Sequence, residues 1–162
     1  MKNIFSDEWK YKNIFLNIIF LLSFSFISSY ILYSGYSMST DSVRFSRWAD
    51  NLIELKFNYS DFFLIEKIRI RPHLFFFSLP VSLIALCKVI FVNNWQFAFL
   101  LLNLILVFFS LIIFVKSLLL IGVRPVLIAI SLPVIALSVD ILIWPKFILS
   151  DMIYAFLVMF AS

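Results

Sequence analysis

Glycine, cysteine and histidine are almost absent from this sequence: two, one and one among 162 residues. A single cysteine, Cys87, excludes an intrachain disulfide and leaves the redox compartment undetermined. With His73 the lone histidine, no His/Cys metal-ligand spacing exists. So little glycine beside 21 phenylalanines makes the apolar stretches bulky helix cores. Charge is scarce too, at 14%, whereas hydrophobic residues make up 64%, against roughly 45–50% in a soluble domain. These proportions describe an integral membrane protein. The formal net charge of +4 suits anionic lipid headgroups and is not read as nucleic-acid binding.

The N-terminal stretch to Asn13 is short and charged. Ile14 to Tyr33 then forms an apolar run of about 30 Å as a helix, which matches the hydrocarbon core. It has no A-x-A-like cleavage site, so an uncleaved anchor is expected rather than a signal peptide. Trp9 and Tyr11 flank one end, and Tyr30, Tyr33 and Tyr36 the other, as interfacial aromatics do. Lys10 and Lys12 beside the span favour a cytoplasmic N-terminus. The cations of the following loop (Arg44, Arg47, Lys56, Lys67, Arg69, Arg71) vote for the opposite orientation.

In that loop, Phe45, Trp48, Ala49 and Leu52 recur at helical spacing, while Arg44, Arg47, Asp50, Asn51 and Glu54 take the opposite side. A helix over about 42–56 is expected, lying on the membrane surface with its aromatic face in the headgroup layer. Asp41 is expected just before it. Asn58-Tyr59-Ser60-Asp61 reads as a turn, and Pro72 bars a helix from continuing out of Lys67–Arg71. Leu74 to Cys87 is shorter than the roughly 17–25 residues a span needs and carries Pro80 in its middle. A surface or half-inserted helix over 74–88 is favoured over a span.

A second span is expected over 95–118 and a third over 125–144, kinked at Pro133. Gly122 and Pro125 stand where a helix stop and a helix start belong. A partial span, 152–162, closes the sequence without a polar flank. The chain is therefore expected to be the N-terminal piece of a longer membrane protein, with a re-entrant C-terminal helix as the alternative.

The ordered set of features resembles the C-fold (GT-C) membrane glycosyltransferases, in particular the protein-mannosyltransferase-like and aminoarabinose-transferase-like enzymes. A first span leads into Asp41-Ser42 and a helix of the form Asp-Ser-x-x-aromatic-x-x-x-Ala-x-x-Leu. A basic, Pro-containing step at Arg71-Pro72, an apolar segment, and two spans joined at a basic turn come next. Ser150-Asp151 then heads the last helix. The sequence differs from the family in placing Ser42 and Val43 after its first acid, and Leu149 two residues before Asp151.

The resemblance implies an all-α, multi-span fold in the inner membrane with a cytoplasmic N-terminus and extracytoplasmic juxtamembrane helices in the first loop. Both acids then face outward, which requires 74–88 to lie at the surface. It further implies transfer of a sugar from a polyprenyl-phosphate donor to an acceptor hydroxyl. Asp41 would be the general base and Asp151 the second acid, with a divalent metal at this pair left open. Arg44, Arg47, Arg71 and Lys146 would be candidates for the donor phosphate, with lipid headgroups as their alternative partners. Asp140, an acid near the end of an apolar span, is a secondary candidate. Read without the family, Asp41 and Asp151 are also good helix N-caps. The competing expectation is thus a non-enzymatic membrane subunit or scaffold. If the enzyme reading holds, the missing C-terminal part, as a separate chain, is a candidate partner.

Overall fold

The computed structural model describes residues 14–66 and 77–147, together with Ile153, Phe156 and Val158. Among the described residues the regular elements are all helical: α1 (Ile14–Ser34), α2 (Thr40–Glu54), α3 (Tyr59–Ile65), α4 (Ser78–Phe91), α5 (Trp95–Leu120), α6 (Pro125–Ala136) and α7 (Val139–Ile143). Short 3-10 turns cover Val92–Asn94 and Trp144–Lys146. Most of the expected 152–162 segment, and the start of the 74–88 helix, lie outside the described residues.

Helix ends follow from the scarcity of glycine. Gly35 and Gly122 both adopt left-handed backbone, with φ of 70° and 84°, just past the ends of α1 and α5. At Gly122 the chain closes a Schellman motif: Val123 N–H donates to Leu118 and Gly122 N–H to Leu119. Where no glycine is available, side-chain-bearing residues take the strained conformation instead. Lys56 and Phe57 do so after α2, and Val92 (φ 41°) ends α4. For a β-branched residue this is a rare geometry.

Ile14–Ser34 and the stretch Ser78–Leu120, which contains α4 and α5, are long and apolar enough to cross a membrane. The pair Pro125–Ala136 and Val139–Lys146 adds a third span only if the two bent pieces are taken together. The bend between them is 58°, and the break falls after Ala136 rather than at the expected Pro133. Pro133 removes only one donor, and α6 continues past it until Leu137 N–H bonds back to the Pro133 carbonyl. Ser138 then starts a new helix, its Oγ accepting from Ile141 N–H at 3.4 Å.

Two cores meet along α5. In the first, Leu16, Ile27 and Ile31 of α1 pack with Leu104, Val107 and Leu111 of α5 and with Ile128 and Leu132 of α6. Phe108 receives Phe20 and Phe24 edge-on, with centroids 5.6 and 4.9 Å away. The ends of α1 and of α6–α7 meet at Ser37 and Phe147, so these helices run parallel, with α5 antiparallel to both.

The second core corrects the expected headgroup-facing role of α2. Phe45, Trp48, Ala49 and Leu52 are 0–5% exposed and pack against Val81, Ile84 and Ala85 of α4, with Phe62 and Phe99 alongside. Their partner is protein, because α4 offers an apolar face of matching length. Each large side chain so removed from water contributes roughly 1.5–3 kcal/mol. Lys88 of α4 ties the pair from the side: its Nζ donates to Asp50 Oδ1 at 2.6 Å and to the Ser46 carbonyl at 3.0 Å, and sits 4.8 Å above the Trp95 ring.

Candidate functional site

Asp41 does not cap α2. Ser39 is the N-cap, its Oγ accepting from Ser42 N–H at 3.1 Å, while Ser39 N–H donates to Ser42 Oγ at 3.1 Å. This reciprocal pair satisfies two helix-end donors and moves Asp41 into the first turn. There the carboxylate suits the positive end of the helix dipole. It also pairs with Arg44 at 3.4 Å, with both side chains more than half exposed. Arg47 is likewise exposed, on the outer side of α2.

The second contribution comes from α7 and the 3-10 turn that follows it. Asp140 lies in the first turn after the break, is exposed, and accepts from Trp144 Nε1 at 3.1 Å. Lys146 follows in the 3-10 turn, its Nζ 5.7 Å from the Tyr30 ring centroid. The Lys146 carbonyl accepts from Ser37 N–H at 2.8 Å. Lys146 and the start of α2 thus share one end of the bundle, whereas Gly122 and Arg124 turn the chain at the other.

Asn103 holds this junction from within. It is 1% exposed in the first half of α5, and its Nδ2 donates to the carbonyls of Pro145 (2.9 Å) and Phe147 (3.2 Å). Its Oδ1 is buried without a partner. Beyond this turn, Ile153 is buried in the α2–α4 core, so the chain returns to α2. Asp151 and Arg71 lie outside the described residues, as do Lys67, Arg69 and His73.

Three features were missed by reading the sequence: the Ser39–Ser42 cap, the Lys88 tether and the Asn103 clamp. Asn103 carried a usable signal, since a lone amide inside an apolar span bonds to a neighbouring element or leaves polar atoms unsatisfied.

Chemically, this end of the bundle offers an exposed carboxylate able to accept a proton, with Arg44, Arg47 and Lys146 as cations for a phosphate. Of the Asp41–Asp151 pair left open for a divalent metal, Asp151 lies outside the described residues. Asp41 supplies one carboxylate already paired with Arg44, and no group of three or more His, Cys, Asp or Glu among the described residues could hold an ion. Compared with known proteins, the chain matches no family model, no curated protein and no solved structure.

Proposed function

We propose that this chain is part of a membrane glycosyltransferase that moves a sugar from a polyprenyl-phosphate donor to an acceptor hydroxyl. Asp41 is the general base, and Arg44, Arg47, Arg71 and Lys146 neutralise the donor phosphate. The chain sits in the inner membrane with its N-terminus cytoplasmic and the α2–α3 loop outside. Asp151 is the second acid and Asp140 a further candidate. The observation that carries the reading is the Ser37–Lys146 backbone bond, which brings the loop leading to Asp41 to the same end as Lys146. A hydroxyl between them would meet a base on one side and a cation on the other.

A second reading, a non-catalytic membrane subunit, is favoured by the Asp41–Arg44 pair, an ordinary i, i+3 surface contact on a helix. One experiment separates the two. Deleting the gene in its native host should raise the pool of one polyprenyl-phosphate sugar, read by mass spectrometry of extracted lipids. Wild type should restore the pool and Asp41→Asn should not. An unchanged pool in the deletion strain would favour the subunit.

A further inference from the structure

We infer that Lys88 is a positioning residue that fixes the height of α2 on α4, and through it the place of Asp41. The link to Asp41 rests on the transferase reading above; the fixing of α2 does not. Among the described residues, Lys88 makes both hydrogen bonds that join α4 to α2. Its ammonium has three N–H donors, and three partners surround it. These are Asp50 Oδ1 at 2.6 Å, the Ser46 carbonyl at 3.0 Å and the Trp95 ring at 4.8 Å. Ser46 and Asp50 are four residues apart and so lie one above the other on one face of α2. A single cation thus grips α2 at two levels and rests on the first residue of α5.

Apolar contact alone does not fix that height. Burial of Phe45, Trp48, Ala49 and Leu52 against Val81, Ile84 and Ala85 is non-directional. A slide of α2 by a whole turn, about 5.4 Å, is barred. It would carry Arg44 into the place of Trp48, or Lys56 into the place of Leu52. A slide of ~1–2 Å, the scale of shear between packed helices, keeps the same side chains buried. Directional bonds resist it, and setting register is the best-attested use of a buried polar or ionic group; the Lys88 side chain is 12% exposed.

Asp41 lies five residues before Ser46, roughly 7.5 Å along the same helix, and moves with it. Lys146 is held to α5 instead, by Asn103 through the carbonyls on either side of it. Lys88 therefore couples the helix that carries the proposed base to the helix that holds the proposed cation. A misplacement near 1 Å at a reacting group costs up to about 10²-fold in rate. The long, rotamer-rich Arg44 and Arg47 side chains follow a substrate through such a shift. The short Asp41 carboxylate does not.

The test places spin labels at Val43 of α2 and Leu120 of α5, which are 57% and 80% exposed. It uses the full chain with Cys87→Ser in vesicles of phosphatidylethanolamine and phosphatidylglycerol. Lys88→Met keeps the stem and removes the ammonium. It should broaden the Val43–Leu120 distance distribution read by double electron–electron resonance. In a sugar-transfer assay with native-host membranes, it should lower kcat per folded protein by roughly 10–10²-fold and leave KM nearly unchanged. Lys88→Gln, too short to reach Asp50, is the second variant should Lys88→Met disturb folding. A distribution as narrow as in the wild type would overturn the fixing of α2. A broadened distribution with unchanged kcat would overturn the link to Asp41 if Asp41→Asn abolishes transfer. Where Asp41→Asn also leaves transfer unchanged, the transferase reading fails and the link falls with it, while the distances still decide the fixing of α2.

Discussion

The amide of Ser37 donates to the carbonyl of Lys146 across 2.8 Å, joining the exit of α1 to the turn after α7. Asn103, buried in α5, grips the same turn through the carbonyls on either side of Lys146. Three helices distant in sequence are thereby fixed at one end of the bundle, and the proposed chemistry depends on that junction.

Asn103→Leu keeps the volume and removes both donated hydrogen bonds. Stability in detergent should fall by about 1–3 kcal/mol, the cost of leaving buried carbonyls unpaired. A cysteine placed at Lys146 in a Cys87→Ser background should label faster once Asn103 is replaced. Equal labelling rates would show that the turn is held by other contacts.

Capping and catalysis separate at the start of α2. Ser42→Ala should cost about 1 kcal/mol of stability, because the buried Ser42 Oγ no longer accepts from Ser39 N–H, whereas Asp41→Asn should cost only about 0.3 kcal/mol, as an exposed ion pair does. For turnover the order reverses: Asp41→Asn should lower it by roughly 10²–10⁴-fold and Ser42→Ala far less. Thermal unfolding paired with a sugar-transfer assay in native-host membranes reads both. Near-wild-type transfer in Asp41→Asn removes the base.

The Lys88–Asp50 bridge is asymmetric, since the Lys88 side chain is 12% exposed and Asp50 56%. Asp50→Ala leaves a largely buried ammonium short of its acceptor and should destabilise by about 1–3 kcal/mol. Lys88→Met frees a carboxylate that water already reaches and should cost less than about 1 kcal/mol. Denaturant titration of the two variants should show that order; the reverse order would mean that Lys88 acts mainly through Trp95.

Val92 occupies left-handed backbone at the end of α4. Val92→Gly should relieve roughly 1–3 kcal/mol of strain against an entropic cost of about 0.5–1 kcal/mol. A higher unfolding midpoint is expected, and a lower one would place the strain elsewhere.

Topology is open to direct labelling. Single cysteines at Ser60 and Asn94, in the Cys87→Ser background, should react from the same side of the membrane, and one at Val123 from the other. Opposite sides for Ser60 and Asn94 would separate α2 from the start of α5 and dismantle the proposed site.

Much of the helical layout was legible because its signals are local. The apolar run from Ile14, Gly122 as a helix stop and Pro125 as a helix start depend on the nearby chain alone. The apolar stripe of α2 was equally plain, yet its partner was misread. Periodicity tells which face is buried and not what buries it; here α4 covers the face assigned to headgroups. Asp41 was likewise placed at the cap instead of the second helical position, because Asp and Ser are both good caps and only the folded chain shows which oxygen reaches the free amides.

The sequence by itself determined a membrane-embedded helical chain with one polar-faced helix after its first long run, since hydropathy and residue spacing are summed along neighbouring residues. Tertiary structure alone decided that Ser37 meets Lys146, that Asn103 reaches Pro145 and Phe147, and that Lys88 binds Asp50. Each of these pairs joins atoms from helices far apart in the chain, and their meeting depends on how bulky side chains interlock at 3–4 Å, a geometry no local pattern encodes.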